Sequence, residues 1–164
     1  MNGVRIRSTR SDSVAPASTT RASARDRVLV IDDSADSRKR TAALLGAAGY
    51  FVFEQPSAIG ATRMLLSFSI SAVVIDLGMP GLSGEKLIAL LRKNPRLDGL
   101  VIVVVANAED SRQTMHQGLR DADAVVLREQ VDPRLVATLE RLLCTSGFHQ
   151  TAQDLAELTE GTSG

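Results

Sequence analysis

The chain has 164 residues, 44% of them apolar, enough for one domain with a core that needs no crosslinks. Lysine plus arginine and aspartate plus glutamate number 19 each, so no net charge draws the chain toward nucleic acid or anionic lipid. The single cysteine, Cys144, permits neither an intrachain disulfide nor a cysteine zinc cluster. The most apolar stretch, Leu100 to Ala106, is far shorter than the roughly 20 residues of a membrane helix, and the N-terminus lacks the apolar centre of a secretory signal. A cytoplasmic protein with no membrane contact is expected.

Residues 1–26 carry Arg5, Arg7, Arg10, Arg21 and Arg25 against Asp12 and Asp26, are rich in Ser, Thr and Ala, and show no apolar periodicity. That composition predicts a disordered basic leader. It contains no aromatic residue to stack on bases, so a nucleic-acid arm is not expected. From Arg27 apolar runs alternate with amphipathic segments, which predicts repeated βα units over 27–145. Strands are expected at Val28 to Ile31, Phe51 to Glu54, Ala72 to Asp76, Leu100 to Val105 and Ala124 to Leu127. Helices are expected at Asp36 to Ala48, Ala58 to Ser69, Gly84 to Lys93, Asp110 to Leu119 and Pro133 to Cys144, with Gly49 and Gly118 as stops and Pro133 in a first turn. Residues 146–164, with Asp154, Glu157 and Glu160, read as a short acidic tail, too short for an output domain. Within it Ala152 to Leu158 is read as frayed in preference to an amphipathic docking helix.

Strands three and four are almost continuously apolar, as strands covered on both faces must be. Five βα units with right-handed crossovers give a three-layer α/β/α fold around a doubly wound five-stranded parallel sheet, whose functional loops gather beyond the strand C-termini. At that edge lie Asp32 and Asp33 after strand one, Asp76 ending strand three, and the Ala106 to Asp110 stretch after strand four. Crowded carboxylates repel one another and need a compensating charge. A hard cation such as Mg²⁺, which takes a few carboxylate oxygens together with water and phosphate oxygens, supplies it. The plainer explanation is capping, in which Asp33 or Ser34 accepts backbone N–H groups and Asp36 complements the first turn. Capping accounts for one acid and not for a pair.

The run VLVIDDSADSRKRTAALLGAAGY, followed after one helical unit by AVVIDLGMPGLSGEKLIALLR, resembles the receiver domain of bacterial two-component response regulators over about Arg27 to Leu143. The resemblance implies a flavodoxin-like receiver topology. It makes Asp76 the phosphoacceptor, a carboxylate nucleophile that takes a phosphoryl group from a histidine kinase or phosphotransfer protein. It implies Mg²⁺ held by Asp32, Asp33, Asp76 and the backbone carbonyl of Gly78. Output would pass to a downstream protein through the fourth helix, fifth strand and fifth helix, roughly Asp110 to Cys144, with a homodimer left open.

The chain departs from the family pattern at three places. The hydroxyl residue that ends strand four is replaced, at Val105 or Ala106, by a residue with none. The aromatic partner on strand five is Val125, and the Lys-Pro step after that strand reads Arg128-Glu129. Arg128 keeps a positive charge for the phosphoryl oxygens, as a planar fork and not a compact ammonium. Two readings follow: a receiver phosphorylated on Asp76 with an unusual switch, or a phosphorylation-independent pseudo-receiver that acts as an interaction module. Retention of all three acids favours the first. A free-standing enzyme is not expected: a haloacid-dehalogenase-type phosphatase would carry a second acid where Gly78 stands, and there is no P-loop or G-x-G-x-x-G run. His116 and His149 have no ligand neighbours at metal spacing.

Overall fold

The computed structural model describes residues 26–80, 84–108 and 121–160, with side chains described as far as 146. The leader expected before Asp26, the helix expected over Asp110 to Leu119 with its stop at Gly118, and the acids Glu109 and Asp110 lie outside these residues. In chain order the elements are β1 (Arg27–Ile31), α1 (Ala35–Ala47), β2 (Phe51–Gln55), α2 (Ala61–Ser67), β3 (Ala72–Asp76), α3 (Gly84–Arg92), a 3-10 turn (Pro95–Leu97), β4 (Val101–Ala106), β5 (Ala124–Leu127), a second 3-10 turn (Arg128–Gln130) and α4 (Val131–Glu160). The five strands form one parallel sheet in the order β2-β1-β3-β4-β5.

The strand sequences explain that order. β3 and β4 are buried at every residue and sit inside the sheet, whereas β2, with its mixture of Phe, Glu and Gln, is an edge strand of intermediate exposure. Alternate residues along each inner strand feed two cores. Leu29, Ile31, Val73, Ile75, Ile102 and Val104 pack with Leu65 of α2 and Leu87, Ile88 and Leu91 of α3. Val28, Val30, Val74, Val103 and Val105 pack with Leu45 of α1 and Leu135 and Leu139 of α4. Each fully buried Leu or Ile contributes roughly 1.5–3 kcal/mol, so both faces of the sheet are held by apolar burial. The sheet edge that carries the acids is thereby a fixed platform.

Most boundaries fall where the sequence places them. α1 ends at Ala47, and Gly49 follows with φ +95°, the left-handed conformation expected of its stop. α2 starts three residues later than expected, because Gly60 (φ +82°) holds the N-cap and residues 58–60 form a turn. β4 runs one residue further, through Ala106. The largest difference is α4, which does not stop at Cys144 but continues to Glu160 through the segment read as a frayed tail. A lone glycine such as Gly147 costs a helix only about 1 kcal/mol, and no proline follows it. Pro133 lies in the first turn of this helix, where it removes no intrahelical bond.

Candidate metal centre

β1, β3 and β4 end side by side, and their register brings the acids together. Val28–Ile31 pair with Ala72–Ile75, so Asp32 and Asp76 each follow or end adjacent strands at the same level. One carboxylate oxygen from each of Asp32, Asp33 and Asp76 lies within 4.8 Å of the others. Asp32 and Asp76 are 5% and 4% exposed, which for carboxylates demands compensation, while Asp33 is exposed to solvent.

Capping does not consume these acids. Ser34 is the N-cap of α1, its hydroxyl accepting the Ser37 N–H at 3.4 Å, and Asp36 occupies the first turn. Asp32 Oδ1 instead accepts the Ser34 N–H at 2.9 Å, which folds the β1–α1 turn and aims the carboxylate at the sheet edge. Arg38 secures the same turn, donating from Nη1 to the Asp32 carbonyl at 2.7 Å while its Nε pairs with Glu54 at 3.4 Å. Asp76 Oδ1 accepts the Gly78 N–H at 3.0 Å, which holds the backbone of Gly78 against this carboxylate. The closing glycine of the D-x-x-MPG-x-x-G run also has a structural cause. Gly84 opens α3 so close to the preceding loop that a Cβ there would lie 2.6 Å from Leu77 Cδ2.

Arg128 completes the site from the turn after β5. Its Nη2 donates to Asp76 Oδ1 at 2.5 Å, its Nε to Asn107 Oδ1 at 3.0 Å, and its Nη1 reaches Ser37 Oγ at 3.5 Å. The hydrogen bond to Asp76 raises the guanidinium's proton affinity against the cost of burial, with the charges of Asp76, Asp32 and Asp33 adding to it. Arg128 therefore stays charged and neutralises part of the acid cluster. Of the two candidates for the missing hydroxyl, Val105 pairs with Asp76 and lines the cavity on the α1 and α4 face of the sheet, while Ala106 is fully buried, pairs with Leu127 and alternates onto the other face, the one that carries Val125. Val125 is half-buried and packs against the opposite core, on the face that carries α2 and α3, so no ring stands there.

The acids open into a cavity of about 370 Å³ that continues between α1 and α4, lined by Ser37, Arg40, Thr41, Val105, Val131 and Asp132 among others. Arg40 and Asp132 close its outer end with an ion pair between the two helices. Ser37 and Asn107 are site residues that the sequence reading did not identify. Both have polar side chains next to expected site positions, but their part depends on where Arg128 reaches.

The donor set suits a hard divalent cation. Octahedral coordination at about 2.1 Å places adjacent ligand oxygens about 3 Å apart and opposite ones about 4.2 Å apart, so carboxylate oxygens within 4.8 Å of one another reach a shared ion by side-chain movements of up to about 2 Å. Exposed Asp33 and the open cavity leave positions for water or an incoming oxyanion.

Residues 28–140 match the family model of the response regulator receiver domain. The chain is 31% identical over 137 residues to the two-component response regulator PhoP of Pseudomonas aeruginosa, covering 80% of this chain and 58% of that protein. It is 28% identical to an uncharacterized 14.6 kDa protein of Leptolyngbya boryana, covering 71% of this chain and 88% of that one. Among solved structures, a sensor protein from Polaromonas sp. JS666 superposes with a TM-score of 0.67 at 25% identity, over 74% of this chain and 98% of that one. The response regulator TrrA of Thermotoga maritima, solved with Mg²⁺ and BeF, has the same fold, with a TM-score of 0.64 at 23% identity over 71% of this chain and 98% of that one.

Proposed function

Because this chain belongs to the response regulator receiver family, we propose that it accepts a phosphoryl group on Asp76 in a two-component phosphorelay, assisted by Mg²⁺ held at the acid cluster. The observation that carries this reading is the convergence of three carboxylates on one point, with the most buried of them also bonded to Arg128 and Gly78. A scaffold has no use for a like-charge cluster at the end of an otherwise apolar sheet.

A carboxylate oxygen of Asp76 forms the bond to phosphorus as the P–N bond of a phosphohistidine donor breaks, the electron pair leaving on the imidazole nitrogen, which takes a proton. Mg²⁺, when bound there, would supply positive charge to offset the phosphoryl oxygens and the attacking carboxylate. The chain's own residues do the rest. Asp32, Asp33 and the Gly78 carbonyl hold the ion, Gly78 N–H orients the nucleophile, and Arg128 stands ready for a phosphoryl oxygen once its hold on Asp76 relaxes. The partner is a histidine kinase or phosphotransfer protein, and the chain is a phosphoryl acceptor that assists its own modification and hydrolysis, not a free-standing enzyme. Because neither Val105 nor Ala106 offers a hydroxyl and Val125 offers no ring, output through the surface that includes β5 and α4 depends on a different coupling from the family's usual one.

Incubation with Mg²⁺ and acetyl phosphate, followed by intact-mass measurement, tests the reading. One added phosphoryl group is expected on the parent, and none on Asp76→Asn or on the parent in excess chelator. An unlabelled parent, with the Asp76→Asn variant binding its partners as the parent does, would establish the pseudo-receiver instead.

A further inference from the structure

Arg128 commits its three guanidinium nitrogens to three different segments: Nη2 to Asp76 at the end of β3, Nε to Asn107 just past β4, and Nη1 toward Ser37 in the first turn of α1. A guanidinium is planar and rigid, so a second anchored nitrogen sets the direction of the first. The Ser37 contact, at 3.5 Å, is long for a hydrogen bond; the Asn107 contact, at 3.0 Å, is ordinary. Asn107 is therefore the principal lateral restraint on a side chain that is 35% exposed and carries its own rotational freedom. Any divalent cation entering between Asp32, Asp33 and Asp76 meets this guanidinium already seated on Asp76 Oδ1. Two cations then draw on one carboxylate.

We propose that Asn107 is a positioning residue: by accepting the Arg128 Nε–H it holds the guanidinium on Asp76, so that occupancy of the acceptor carboxylate and the end of β4 are coupled through this hydrogen bond. That route stands in for the hydroxyl that neither Val105 nor Ala106 supplies, since Asn107 follows both directly on the same segment. When metal or a phosphoryl group claims the charge of Asp76, Arg128 must turn away or re-pair, and either movement draws on the Asn107 carboxamide. The metal side of this inference rests on the reading of the acid cluster given above.

The test is a Mg²⁺ titration by calorimetry of the parent, Asn107→Leu, Arg128→Lys and the double variant. Asn107→Leu keeps the branched shape but removes the acceptor; loosening the competing guanidinium, it should tighten Mg²⁺ binding severalfold. In the Arg128→Lys background, where there is no Nε–H to anchor, the same substitution should change the affinity little. A purely structural role for Asn107 would give the same factor in both backgrounds, and that result, or an unaltered affinity in Asn107→Leu, overturns the proposal. A second readout needs no metal: solvent exchange of the Arg128 Nε–H, followed by NMR, should accelerate in Asn107→Leu, and unchanged exchange also overturns it. Failure of the parent to bind Mg²⁺ would instead sink the metal-site reading, leaving the Nε–H exchange to decide the coupling.

Discussion

Val105 is the residue of β4 that pairs with Asp76 and lines the cavity, which makes it the place to test whether a hydroxyl restores a bond to a phosphoryl oxygen. Thr is nearly isosteric with Val, and a hydrogen bond to a charged acceptor is worth roughly 1.5–3 kcal/mol. Val105→Thr should therefore tighten binding of beryllium fluoride, a phosphoryl mimic, by about tenfold or more; an affinity equal to the parent's would show that residue 105 does not face the acceptor. Tyr50 supplies a second test, away from the site. It is 5% exposed, its hydroxyl has no hydrogen-bond partner among the described residues, and burial, followed by the charge of Glu140, pushes its pKa up to about 12. Because the folded state holds the proton more tightly than the unfolded state, stability is intact below about pH 10 and lost as the pH rises from there toward 12. As the chain's one tyrosine, with no tryptophan beside it, Tyr50 alone reports in the tyrosinate absorbance. Tyr50→Phe should remove this alkaline loss and, by deleting an unpaired hydroxyl, leave stability at neutral pH unchanged or raised by about 1 kcal/mol in urea unfolding. The acids were legible in the sequence because each ends or follows an apolar run, which fixes its place at the sheet edge. Ser37 and Asn107 were not, since their part is set by the reach of one long side chain across three segments, and no local pattern encodes that.

Two glycines separate what helices need from what the site needs. Gly46 lies in α1 with open space where a Cβ would go, so Gly46→Ala should stabilise the protein by about 0.5–1 kcal/mol through backbone entropy and helix propensity. Gly84 begins α3, but its Cβ would press Leu77 Cδ2 at 2.6 Å, next to the Asp76 backbone. The contact is with the free end of a half-exposed leucine, which must turn aside and so offsets part of the helix gain of about 1 kcal/mol; Gly84→Ala should stabilise less than Gly46→Ala. Chemical denaturation of the two variants checks the order; an equal gain in both would mean that Leu77 moves at no cost. The strands and α1 were readable from apolar runs and the Gly49 stop. The end of α4 was not, because a single glycine such as Gly147 is a weaker signal than the helix-forming residues that follow it.

At the scale of the molecule, two apolar cores clamp a parallel sheet so that three loops from separate parts of the chain meet at one edge. At this edge Arg128 ties Asp76 to the segment just past β4 by way of Asn107. Among the described residues no helix is long and apolar enough to cross a membrane. The central claim concerns which carboxylate carries the phosphoryl group, and the direct measurement is borohydride reduction of the acetyl phosphate-treated protein, which converts an acyl phosphate to an alcohol, followed by peptide mass mapping. The account predicts homoserine at position 76 alone, appearing only when Mg²⁺ was present during labelling. Homoserine at position 32 or 33, or none at 76 in the folded, Mg²⁺-loaded protein, would contradict it.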